Sequence, residues 1–408
     1  MIGLVVVQNV TSLCRHATFT TDPPLLTLGH LERKRGIPRC YLKGFVTGSL
    51  DFARDDGRSV ARSIALRTTS SMLLRLPLLA LTFFPLATRA CDLCGCYTPQ
   101  LESMPKEKTS LTGFYTAVAE QFTHFGSLQF DDREVANPTG QRLDSSITQF
   151  VVGYEINDRF ALQFNAPLIY RDFRRPEGFA IDEGSVSGLG DVSLLAKAVL
   201  WRFASAARRE FDVQGKNPVA IEHESDCTCS IVALAGLKFP TGDPSRLEEE
   251  FHEVEVPGAP ESGIHGHDLT LGTGSYDGIF GAQSSLRYKN FFAEANGQFT
   301  LRGDGAHDYH FANDLTWSAG PGYYLLRKRD TLVGFECAAS GESKDVDRFQ
   351  GRAAEDTGVT SVFIGPRIIA SHDQISGELA AEFPVLMNTT AFQAVPDYRL
   401  RARVAVSW

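Results

Sequence analysis

The sequence predicts an all-β fold, an antiparallel transmembrane β-barrel of about twelve strands preceded by a signal peptide. Three observations carry this. Apolar and polar residues alternate with period two through much of 109–408. The runs last about 10 residues, the length a tilted strand needs to cross a bilayer. A short apolar segment at 72–90 ends in small residues, as a secretory leader does.

The front of the chain is read in three pieces. Residues 1–71 carry scattered arginines without helical or strand period, as in Arg33-Lys34-Arg35. They are expected to be an over-extended start or a disordered extension. Met72 then opens the leader: Arg75 supplies positive charge, Leu76 to Leu86 is apolar, and Ala87-Thr88-Arg89-Ala90 offers a cleavage site. The apolar part is too short to span a membrane, which takes about 20 residues. Residues 91–108 form a segment containing Cys91, Cys94 and Cys96.

The barrel is expected over 109–408. Its last strand shows the logic best. Tyr398, Leu400, Ala402, Val404, Val406 and Trp408 fall on one face; Arg399, Arg401 and Arg403 fall on the other. Arginines facing lipid near the bilayer centre cost a few kcal/mol each, so these face inward. The same sorting recurs at 160–170, 192–200, 291–302 and 375–385. Weaker strands are placed near 109–122, 145–156, 230–240, 278–288, 309–320, 330–340 and 358–370. Asn157-Asp158, Lys289-Asn290 and His372-Asp373 read as tight turns. The stretches 123–144, 172–188, 203–229, 241–267 and 341–357 read as long polar loops. A soluble β-sandwich also alternates, but its strands are shorter and lack aromatics at both ends.

Composition excludes some functions. The net charge of -9 argues against a nucleic-acid partner. No Gly-rich phosphate loop, His-Glu-x-x-His or nucleophile elbow occurs, so the chain is not expected to be an enzyme. His310 and Asp314 share a strand face in this reading, but spacing assigns no serine beside them.

Three motifs carry a family resemblance. They are Gly188-Leu189-Gly190-Asp191-Val192-Ser193-Leu194 with Lys197, Leu237-Lys238-Phe239-Pro240-Thr241-Gly242-Asp243-Pro244, and Leu271-Gly272-Thr273-Gly274-Ser275-Tyr276-Asp277. In order and spacing they resemble the outer-membrane proteins named for the meta pathway of phenol degradation, described as transporters. The resemblance covers most of 109–408. It implies an outer-membrane location and passage of small, hydrophobic or aromatic molecules. Trp408 on an alternating strand resembles the signal read by the barrel assembly machinery. The cluster Cys91-Asp92-Leu93-Cys94-Gly95-Cys96 departs from the family pattern.

The expected function is therefore an outer-membrane channel or transporter for a small-molecule permeant, seated in outer-membrane lipid. The alternatives are a structural or adhesive barrel with a plugged lumen, a metal-linked outer-membrane protein and a barrel-embedded hydrolase. Lys197, Lys238, Glu294, Arg302, Glu336, Arg367, Glu378, Glu382, Arg399, Arg401 and Arg403 are the candidate lumen-lining residues. No cofactor is expected. A metal ion is an open option at Cys91, Cys94 and Cys96, whose thiolates are close in sequence, and at His252, His265 and His267 in an acidic loop. The competing readings are disulfides in an oxidising compartment and a solvated surface loop. Cys227 and Cys229 are too close in sequence to bridge each other without strain, so a link to the amino-terminal cluster is expected.

Overall fold

Strands with one apolar and one polar face must hide one of them from the surrounding solvent. In the computed structural model they do so by closing a ring. The structure describes residues 113–408, apart from 206–208, 213–218, 223–224, 253–255 and 329. The expected extension 1–71, leader 72–90 and cysteine segment 91–108 lie outside the described residues.

Twelve long strands form the wall: β1 (Gly113–Phe130), β2 (Arg142–Glu155), β3 (Phe160–Glu177), β4 (Val192–Ala204), β5 (Cys227–Phe239), β6 (Asp277–Tyr288), β7 (Phe291–Leu301), β8 (Asp314–Arg327), β9 (Thr331–Lys344), β10 (Val359–His372), β11 (Ile375–Thr389) and β12 (Phe392–Ser407). Each pairs antiparallel with the next. β12 returns to β1, with Tyr115 opposite Ser407 and Phe130 opposite Phe392, and closes the barrel.

The faces sort as the alternation requires. Along β12, Leu400 and Val404 are 44% and 57% exposed, while Arg399 and Arg403 are 2% and 3% exposed. On β3, Phe160, Leu162, Phe164 and Leu168 point out, and Gln163 and Asn165 point in. Large apolar side chains outside and charges inside invert the order of a water-soluble protein. The outer solvent of this wall is lipid. No helix among the described residues is long and apolar enough to cross a membrane; the strands do the crossing. Aromatic side chains mark one end of the band, with Phe114 and Tyr154 at 4.7 Å, Phe291 and Tyr323 at 4.9 Å, and Trp408 exposed. Several inter-strand contacts place a ring over a glycine: Tyr115 over Gly153, Phe292 over Gly322 and Trp317 over Gly341. Each pair is directly opposite in the ladder.

The two ends differ. At the end holding Gly113 and Trp408, β2–β3, β6–β7, β8–β9 and β10–β11 join through tight turns. The exception is the β4–β5 connection, which carries a small pair, Arg209–Asp212 with Val219–Glu222. The opposite end carries the long connections, except between β11 and β12, which turn through Thr390 and Ala391.

Several boundaries differ from expectation because strands run past the membrane band. The stretch 172–188, read as a loop, is a hairpin: β3 continues to Glu177 and Ala180–Leu189 pairs back along it. β1 continues to Phe130 within the expected loop 123–144, and Arg133–Val135 pairs with its end. β9 reaches Lys344, and 341–357 adds a small sheet of Asp347–Phe349 and Arg352–Ala354. The wall strand expected over 309–320 starts at Asp314; Tyr309–His310 joins the small sheet instead. His310 and Asp314 therefore sit in different sheets, which corrects the expected shared face. Beyond the membrane band a strand no longer needs an apolar residue at every second position, so the alternation fades before the strands end.

One place in the wall is incompletely sealed. β11 and β12 pair from Ile375–Val406 to Glu382–Arg399. Beyond that, β11 stays on β10 up to Thr389, and β12 stays on β1 up to Phe392, but among the described residues the two no longer pair. Proline explains the break. Pro384 on β11 and Pro396 on β12 have no N–H to donate to a ladder. Register shifts flank both, at Val362/Phe363 and at His124/Phe125.

Candidate functional site: the lumen and its mouth

The inner wall is a set of ion pairs fixed by register. Glu378 lies opposite Arg403 and Glu382 opposite Arg399 across β11–β12, and Glu336 lies opposite Arg367 across β9–β10. Arg403 reaches Glu378 at 2.9 Å, and Arg401 reaches Glu382 at 3.2 Å. Arg401 also donates through Nε to Gln121 Oε1 at 2.9 Å. Arg367 donates to Glu336 through Nε at 2.9 Å and bridges to Glu294 at 2.9 Å. Arg399 sits 3.7 Å from Glu382 and stacks over Phe363 at 4.0 Å. Lys197 is buried on β4. All these candidates share the inner face, and most are engaged with one another around β7 and β9–β12.

A second set gathers Lys238, Arg302 and residues of the three sequence motifs. Asp191 accepts from the Gly242 N–H at 2.9 Å, from the Thr273 N–H at 2.9 Å and from the Thr273 hydroxyl at 2.8 Å. Lys238 Nζ lies 3.1 Å from Asp191 and 2.7 Å from Asp277. Arg302 joins Asp277 at 3.0 Å to Asp314 at 2.5 Å. Ser275 donates to Asp277 at 2.6 Å. Three segments far apart in sequence thus meet in one buried polar knot, with each charge facing an opposite one. The knot ties the ends of the β5–β6 connection to the wall. Gly242 and Gly272 are required there by close approach, since a Cβ on either would lie within 3 Å of the other's backbone.

That connection folds into the barrel mouth. Its strap, residues 263–272, crosses the inner faces of β1, β2 and β3. Ile264 and Leu269 pack with Phe125, Leu143 and Phe173, and Leu271 packs with Ile147 and Ile169. Arg171, fully buried, donates to the carbonyls of Asp268 and Thr270. At its start, Gly263 accepts from the Ala394 N–H of β12 at 2.8 Å. The strap holds the short helix Gly266–Leu269.

The strap carries two of the candidate metal ligands. His265 and His267 stack at 5.6 Å, and His267 stacks again on Tyr309 at 5.8 Å. His267 Nδ1 is 3.0 Å from Glu250 Oε1, and His265 Nε2 is 3.3 Å from Asp356 Oδ2. Burial alone would lower the His267 pKa, but Asp268 and Glu250 raise it to about 10. Burial works against ionising Glu250 as well, and His267 overrides it, lowering the carboxyl to about 2. Tyr309 is pushed up by burial and by Asp347. His252 is exposed at the end of the turn Ser245–Phe251. Among the described residues, no group of three or more His, Cys, Asp and Glu is arranged to hold a metal ion. The imidazoles are placed as partners of carboxylates. Cys91, Cys94 and Cys96 lie outside the described residues. Cys227 is disulfide-bonded, and Cys229 and Cys337 are free thiols.

Sequence reasoning missed Asp191, Asp277, Arg171 and Asp356 as members of these networks, while Glu250 stood in the acidic loop it placed around His265 and His267. Asp191 and Asp277 stood inside the quoted motifs, which was the available signal. The others become neighbours only through register and loop path.

No protein-family model matches the sequence, and no curated protein matches it. Solved structures similar to the chain include an outer-membrane channel from Pseudomonas putida F1, at 14% identity and TM-score 0.49, covering 76% of this chain and 100% of that one. The β domain of a Bordetella autotransporter matches at 10% identity and TM-score 0.37, covering 73% and 100%. A Pseudomonas aeruginosa FadL homologue matches at 10% identity and TM-score 0.27, covering 73% and 90%.

Proposed function

We propose that this protein is an outer-membrane channel for small apolar or amphipathic molecules. The observation that carries the reading is the contrast between lumen and wall. The lumen is crossed by ion pairs and its mouth by the strap, an arrangement poorly suited to wide aqueous flow. The wall, by contrast, is unzipped at Pro384 and Pro396, beside apolar Phe383, Val385 and Leu386 on the lipid side. A molecule that partitions into lipid has a route there that a hydrated solute lacks. The motif resemblance to the outer-membrane family named for the meta pathway of phenol degradation supports the same reading.

The finer parts of the proposal follow from it. Residues 72–90 export the chain, and 1–71 take no part in the mature protein. The barrel assembly machinery reads the β12 end, where the Trp408 N–H donates to the Phe114 carbonyl at 3.0 Å. Lys197, Lys238, Glu294, Arg302, Glu336, Arg367, Glu378, Glu382, Arg399, Arg401 and Arg403 line the passage and set its polarity rather than its chemistry, so the protein is not an enzyme.

Two measurements on reconstituted protein test this. In planar bilayers it is expected to show small, discrete single-channel currents. In loaded liposomes it is expected to speed the uptake of small apolar solutes more than that of sugars of similar size. Well-folded protein that passes neither ions nor apolar solutes would sink the channel reading and leave the plugged structural barrel.

A further inference from the structure

The strap meets the barrel in two different ways. Towards β1–β3 it is bolted by apolar packing, through Ile264, Leu269 and Leu271, and by Arg171 on its carbonyls. Towards the β9–β10 connection its contact is polar. There His265 reaches Asp356 at 3.3 Å, with side chains 11% and 25% exposed. A cavity of about 40 Å³ lies on this side, between His267 and Asp268 of the strap, Glu342 of β9, and Val395 and Pro396 of β12. The other charges nearby are already committed. Lys344 is held by Asp347 at 2.5 Å, and Glu342 accepts from Ser361 at 3.0 Å. His267, beside His265, also feels the Asp356 charge. Packed apolar side chains hold firmly, whereas a partly exposed ion pair holds weakly. The start of the strap, fixed by Gly263 to Ala394 of β12 at 2.8 Å, belongs with the firm edge; the edge from His265 towards the β9–β10 connection is the weak one and faces the void.

We propose that the strap is a gate hinged on its packed edge, and that the His265–Asp356 contact is the latch closing the passage between strap and β10–β12 wall. The proposal rests on the channel reading above. The stack of His265 on His267, itself held by Glu250, sets the latch imidazole in place. Opening widens the existing cavity towards Pro396, on the side where β11 and β12 are unzipped. The strap thus controls the lumen and the wall seam together.

Full-length protein in planar bilayers tests the gate. Asp356→Asn keeps the shape and removes the charge, and is expected to raise the open probability about threefold to fivefold. The paired substitution His265→Cys with Asp356→Cys tests the same contact covalently. Oxidation is expected to abolish most of the current, and a thiol reductant to restore it. Wild-type protein is taken through the same cycle to account for the bond at Cys227. Unchanged current in Asp356→Asn overturns the latch, and unchanged current on covalent locking overturns the hinge; either leaves the channel reading intact. If all three proteins are well folded but carry no current, the same comparisons are read as apolar uptake into loaded liposomes; no uptake by any of them overturns both readings, and equal uptake by all of them overturns the gate alone.

Discussion

At the residue scale, the molecule is held by charges placed opposite one another where water is scarce. Asp191 shows the principle: two oxygens serve two backbone N–H groups, a hydroxyl and Lys238. Removing it leaves Lys238 to Asp277, which Arg302 already shares, and orphans the buried donors of Gly242 and Thr273. Asp191→Ala is expected to cost about 3–5 kcal/mol, read as a lowered urea midpoint for the folded band. The strap adds a pH dependence. Glu250 is lowered, so its contribution is present above the ordinary carboxylate range and is lost as pH falls through about 2. His267 is raised, so its contribution is present below its ordinary value and is lost as pH rises through about 10. Amides of 263–272 should exchange slowest between about pH 4.5 and 6.5, where both contributions are complete, and faster towards either extreme, once intrinsic rates are removed. A strap whose protection ignores pH would contradict this assignment. The basic and acidic residues of the lumen were legible in the sequence, because charges in an alternating strand have one face left to them. Their partners were not. Glu382 meets Arg399 and Arg401 through a register that one-residue slips would erase.

At the element scale, alternation revealed strands and hid their ends. The wall strands expected at 192–200, 278–288 and 291–302 lie where they were placed, because the apolar period of two survives across their full length. The hairpin of β3 with Ala180–Leu189 was missed because its outer part leaves the lipid and no longer needs an apolar face. The seam was also invisible, although both prolines were in plain view: their effect depends on β11 and β12 facing each other. Restoring the donors with Pro384→Val and Pro396→Val is expected to extend the β11–β12 ladder. Exchange of the amides in 392–398 should slow by about fivefold per hydrogen bond gained, and apolar uptake should fall with it. Equal uptake after a demonstrably extended ladder would separate the seam from the route.

At the scale of the whole molecule, the charged interior and apolar exterior commit the chain to lipid. It should fractionate with outer membranes and run faster on gels when unheated, because a closed barrel resists detergent at room temperature. A product that stays in the soluble fraction would contradict the inside-out sorting of β3 and β12. The count of strands and the inward arginines came from periodicity alone. The inward strap did not, since nothing in its sequence distinguishes a segment that enters a mouth from one that waves above it.

The joint between β1 and β12 has a consequence for synthesis. Tyr115 finds Ser407 only after all twelve strands have been made. No chain that stops short of β12 has both edges covered, so every such intermediate exposes an unpaired strand. Pairing partners so distant in sequence also meet slowly. The nascent chain must therefore be kept apart from its own copies until β12 emerges. A version ending before Phe392 is expected to accumulate as aggregate or be degraded, however intact its other strands are.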